Sequence, residues 1–153
     1  MPRFPNCLPL AFAALCLCAP FAASAQLNSS DAAIRHRKAA FTLMNTYFVR
    51  MYQVTEGERP YKPEEMIESA RLVEMISKLP WTGFAPGSDS GNTKAKPDIW
   101  LEEERFKQLA ERMQGEVSRL HAATQTRDLR IIKAAFGRAR ESCQACHKVF
   151  RAD

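Results

Sequence analysis

The stretch from Leu129 to Phe150 narrows the possible folds more than any other part of the chain. Leu129, Ile132, Phe136, Ala139, Cys143, Cys146 and Phe150 succeed one another in alternating steps of three and four. That 3.5-residue period lines them up on one stripe of an α-helix, the stripe of a left-handed helix-bundle seam. A helix with one apolar stripe cannot bury it alone, so the rest of the chain must supply partners.

Three further helical stretches do so, and no segment reads as a convincing strand. The first follows the capping candidates Asn28, Ser29 and Ser30 and carries Ile34, Phe41, Met44, Phe48 and Met51 on one face. Gly57 and Pro60 end it. The second begins near Pro63 and runs through Met66, Leu72, Val73, Ile76 and Leu79 to stop at Pro80. Residues 80–97 form a long connection in which Trp81 and Phe84 tuck onto the core and 88–96 are expected to be exposed. The third helix opens at Pro97-Asp98 and carries Ile99, Phe106, Leu109, Met113, Val117 and Leu120. Short links favour antiparallel neighbours, so the pattern predicts an all-α, antiparallel up-down four-helix bundle.

Residues 1–25 read as a cleaved secretory signal peptide. Arg3 precedes an apolar run from Leu8 to Phe21, and Ala23-Ser24-Ala25 is a small-residue cleavage site. The run is too short and too proline-broken for a membrane span. Residues 26–153 are then the mature domain, with Cys143 and Cys146 its two cysteines. Its 21 basic and 17 acidic side chains are spread along the chain, with no nucleic-acid motif. No membrane attachment is expected after cleavage.

Cys143-Gln144-Ala145-Cys146-His147 is a C-x-x-C-H motif, the signature of covalent haem attachment. Cysteines three apart on a helix share a face about one turn from each other, so both sulfurs can reach the two vinyl groups of one porphyrin edge. His147 follows directly and can ligate the iron from below. A disulfide across one helical turn is geometrically poor, a thioredoxin-like pair needs a strand-helix context, and a zinc site needs a further ligand such as His121. Haem c explains all three residues together, and its attachment outside the cytoplasm agrees with the leader. Only six residues follow His147, so any sixth iron ligand is expected from upstream.

Several further runs make the mature chain resemble the cytochromes c′. They are Arg37-Lys38-Ala39-Ala40-Phe41 with Leu43-Met44 and Arg50-Met51, then Leu79-Pro80-Trp81-Thr82-Gly83-Phe84. Pro97-Asp98-Ile99-Trp100, Ala134-Ala135-Phe136-Gly137 and the Lys148-Val149-Phe150-Arg151 that follows the haem motif complete the match. The resemblance implies a periplasmic four-helix protein of a Gram-negative bacterium, with one five-coordinate, high-spin haem c. It implies that His147 is the axial ligand, that Phe41 caps the distal face, that Arg37 contacts a propionate, and that Arg151 lies on the proximal side. Lys38 stands where the family usually has glutamine, and a propionate contact there is part of the same expectation. The resemblance also implies a homodimer and a protein that binds NO and CO but discriminates against O₂, with electron-transfer or NO-handling roles and no catalytic residue.

On the residues alone, Phe41 reads first as plain core. Met44, one turn further along the same face, is the rival: as a sixth ligand it would make a low-spin electron-transfer cytochrome. His36 and His121 read as surface histidines, and Met51, Met66, Met75 and Met113 as core. No distal His/Arg pair for cleaving a peroxide is evident.

Overall fold

Helices make up nearly all the regular structure in the computed structural model, which describes Met1 and residues 30–153. In chain order they are α1 (Ser30–Thr55), α2 (Pro63–Ile76), a 3-10 turn (Pro80–Gly83), α3 (Asp98–Leu101), α4 (Glu103–Thr124) and α5 (Leu129–Phe150). The four long helices run up and down as an antiparallel bundle. Residues 2–25 of the assigned leader, and the capping candidates Asn28 and Ser29, lie outside the described residues.

Local chemistry sets most helix ends. Gly57, at φ +83°, closes α1. Its N–H meets the Val54 carbonyl at 3.1 Å and the next N–H, of Glu58, meets Gln53 O at 2.8 Å, a left-handed helix stop that suits glycine. Pro63 opens α2 with Glu64 and Glu65 in the first turn, where carboxylates favour the positive end of the helix dipole. The Asp128 side chain caps α5 by accepting from the Arg130 N–H at 2.8 Å.

Four expectations are corrected. The second helix stops at Ile76 rather than Leu79. Its last turn tightens, with Leu79 N–H on Ile76 O, and Pro80, which has no N–H to give, restarts the chain as a 3-10 turn. The third helix is two: the backbone breaks at Glu102 (φ −119°, ψ 44°). An unbroken helix would turn Trp100 to the side of exposed Lys107, whereas the break lets its indole N–H donate to Phe84 O at 3.2 Å. Ser88, expected to be exposed, is fully buried. Met75, expected in the core, is 48% exposed.

The core fills one half of the bundle. Met51, Met66, Val73, Val117, Leu120, Ile132, Phe136 and Ala139 pack there, and Phe48 stacks on Phe136 with ring centroids 4.4 Å apart. Leu120 and Ile132 are both 0% exposed. Burial of one such side chain stabilises by about 1.5–3 kcal/mol. Toward the start of α1 and the end of α5 the helices part, and the apolar interior opens into a cavity.

Candidate functional site

The cavity has a volume of about 830 Å³ and is bordered by α1, α4, α5 and the connection at 91–95. Its inner wall is apolar, formed by Phe41, Met44, Trp81, Phe84, Phe106 and Met113 among others. Every residue nominated from the sequence borders it: Arg37, Lys38, Phe41 and Met44 from α1, Cys143, Cys146 and His147 from α5, and Arg151 just beyond. His36 and His121 do not. His36 Nε2 meets Leu79 O at 2.8 Å, and His121 Nδ1 pairs with Glu74 Oε2 at 2.6 Å, tying α2 to α4.

The two cysteines lie half-buried on one face of α5, unbridged. Burial pushes both thiols up. For Cys146 the neighbouring Cys143 adds to the effect and the value reaches about 11. Both therefore stay protonated at neutral pH. His147 borders the open cavity, where desolvation first and the charge of Arg151 second hold its pKa below the ordinary value. A neutral imidazole keeps a nitrogen lone pair free for a metal.

Phe41 is held edge-on by two other rings, Trp81 at 6.0 Å and Phe84 at 6.4 Å. The hydrogen-bond donors beside it are already used. The Trp81 indole N–H donates to Ser77 O at 2.7 Å, as that of Trp100 does to Phe84 O. This part of the wall presents ring carbon and no free indole donor.

Arg37 is 3% exposed, and its terminal nitrogens turn into the connection instead of standing free in the cavity. Nη1 donates to Gly83 O at 2.6 Å and Ser88 Oγ at 2.7 Å; Nη2 donates to Ser88 O at 2.6 Å and Thr93 Oγ1 at 2.8 Å. The guanidinium also lies over the Phe84 ring at 4.7 Å. Burial lowers its pKa, yet four acceptors compensate the charge. Lys38 Nζ meets Asn92 Oδ1 at 2.8 Å. The far end of the connection is fastened too, with Lys96 N–H on Phe150 O at 3.0 Å and Ala152 N–H on Lys94 O at 2.8 Å.

Sequence reasoning missed Arg140, Asn92 and Lys94, all on the cavity border. Arg140 was findable, since it lies one turn before Cys143 and Gln144 on α5. Asn92 and Lys94 were not, because only the path of the connection brings them in.

The donor set suits a c-type haem. Two protonated thiols one turn apart and a neutral imidazole flank an apolar cavity of ligand-holding size. A zinc site fits worse: among the described residues no three His, Cys, Asp or Glu side chains gather to hold a metal ion.

Fold and site thus define a class, the helix bundles that carry a haem on the closing turns of their last helix. Comparison with known proteins narrows it. The cytochrome c′ family model matches residues 32–151. The cytochrome c′ of Rubrivivax gelatinosus is 38% identical over 127 residues, covering 82% of this chain and 98% of that protein. Its crystal structure superposes with a TM-score of 0.79 over 83% of this chain and 100% of that one. A nitric oxide complex of a mutant cytochrome c′ from Alcaligenes xylosoxidans is 35% identical, with a TM-score of 0.77 over 82% of this chain and 98% of that one. The chain belongs to the cytochrome c′ family, and its cofactor is covalently attached haem c.

Proposed function

We propose that this protein binds NO and CO at a five-coordinate haem and also passes electrons. Cys143 and Cys146 form the thioethers and His147 is the single protein ligand to iron. The bound haem supplies a metal that takes a diatomic ligand and changes oxidation state by one electron. The protein supplies selectivity.

The observation that carries this reading is Phe41, set edge-on between Trp81 and Phe84 beside spent indole donors. Bound O₂ gains much of its stability from a hydrogen bond to the negative charge it develops, whereas NO and CO need little. A phenyl wall withholds that bond and so selects against O₂. His147 is the one imidazole bordering the cavity among the described residues, and the Arg37 guanidinium is committed to the connection. The site therefore offers no second histidine to work on a peroxide, which favours binding and electron transfer over turnover. The relative studied as a nitric oxide complex supports NO as a ligand. The leader reading supports export to the periplasm, and the family resemblance supports a homodimer.

Met44 borders the same cavity one turn from Phe41, which favours a second reading with its sulfur as sixth ligand. Visible spectra of the ferric and ferrous protein, with and without NO, separate the two. A high-spin spectrum that changes on adding NO is expected. A low-spin, methionine-type spectrum that NO leaves unchanged overturns the gas-binding reading.

A further inference from the structure

The cavity border contains five cationic side chains and no carboxylate. Arg37 is buried in the connection; the other four, Lys38, Lys94, Arg140 and Arg151, are exposed around the opening. The remaining exposed side chains of this rim, among them Thr42, Asn45, Asn92 and Gln144, are uncharged. Past Ala25 the sequence holds 21 basic and 17 acidic residues, so with the four rim cations set aside the two signs balance at 17 each. The whole excess of positive charge in this stretch equals the charge of the rim.

We infer that this cationic rim is a docking surface for the acidic face of a soluble redox protein. The inference deepens the electron-transfer half of the proposed function and rests on it for the partner's kind. The two carboxylates of a haem would offset part of the charge and leave a surplus at the opening. The spacing favours a protein face over a small anion. Arg140 lies on α5 and Arg151 just beyond its end, eleven residues on and about 16 Å away at helical rise, and Lys38 and Lys94 come from other elements. Cations so dispersed cannot converge on one ion, but they match several carboxylates on a facing surface. A lipid surface suits the rim less well, because its exposed members include no large apolar side chain to enter a bilayer. Charges arranged in this way raise the encounter rate and fix orientation, and they act most at low salt.

The test uses ferric holoprotein and poly-L-glutamate as the acidic probe, followed by titration calorimetry at about 20 mM salt. Lys38→Gln/Lys94→Gln is expected to weaken binding about fivefold or more, and Arg140→Gln alone to act in the same direction. Arg112→Gln/Lys133→Gln makes the same change in net charge on exposed positions away from the rim, and is expected to weaken it by less than about twofold. Equal losses in the two double variants overturn the inference, because net charge alone then explains binding. Binding to vesicles containing phosphatidylglycerol without binding to polyglutamate overturns it in favour of a membrane. In parallel, ferrous holoprotein gives one electron to hexacyanoferrate(III), and the rim variant is expected to slow this anionic oxidant more than the control variant does. The calorimetry does not depend on iron coordination, so a low-spin spectrum would defeat the gas-binding reading and leave this one standing.

Discussion

Replacing Arg37 by methionine removes the guanidinium while keeping most of the side chain's length. Gly83 O and Ser88 O, carbonyls of two buried residues, then lose charged donors at 2.6 Å, and the hydroxyls of Ser88 and Thr93 lose theirs at 2.7 and 2.8 Å. Leaving a buried acceptor without its partner costs about 1–3 kcal/mol, and the two carbonyls alone imply about 2–6. Loss of the contact over Phe84 adds about 0.5–1 kcal/mol. Relief of the desolvation that lowers the arginine's pKa works the other way, so the net loss is set at about 4 kcal/mol. Urea unfolding of the holoprotein at neutral pH, followed by far-UV circular dichroism, measures it. Amide exchange should rise selectively over 84–96, the segment that Arg37 fastens. A loss below about 1 kcal/mol with unchanged exchange in that segment would refute the assignment of Arg37 as the connection's anchor.

Three other outcomes follow from the geometry. Phe41→Ala removes two edge-to-face contacts of about 0.5–1.5 kcal/mol each, so flash photolysis should find CO rebinding roughly tenfold faster with haem attachment intact. Gly83→Ala puts a Cβ 2.7 Å from Ala33 O and 2.8 Å from Arg37 Cβ. Such overpacking costs about 1–3 kcal/mol and should lower Tm by several degrees in calorimetry. Hydrogen bonds from Ser118 and then His121 hold the Glu74 carboxyl below its ordinary 4.5. A depressed carboxyl stabilises the fold above its unfolded value and loses that contribution as pH falls through the folded one. Glu74→Gln should therefore flatten the fall in urea midpoint below pH 4.5, and an unchanged profile would exclude the pair as its source.

What could be read in advance was local. The stripe of α5 lies within 22 residues, its Asp128 cap acts two residues away, and Cys143, Cys146 and His147 fall within five consecutive positions. The antiparallel pairing of α1 with α2, and of α4 with α5, follows from short links. What escaped depends on contacts between distant positions. Arg37 reaches acceptors 46 to 56 residues onward, and that reach buries Ser88 inside an otherwise polar connection. The break at Glu102 answers to Phe84, sixteen residues before Trp100, and no propensity within the helix announces it. Lys38 and Asn92 meet only once the connection has been laid across α1.

The first and last helices supply the facing walls of the cavity, and Phe48 on α1 stacks against Phe136 on α5, 88 positions later. Joining ends that far apart costs about 4 kcal/mol of chain entropy before any contact repays it. A nascent polypeptide that stops short of its final helix therefore holds half a berth and nothing to tether a cofactor with. The second wall of the berth arrives only with the closing turns of the polypeptide.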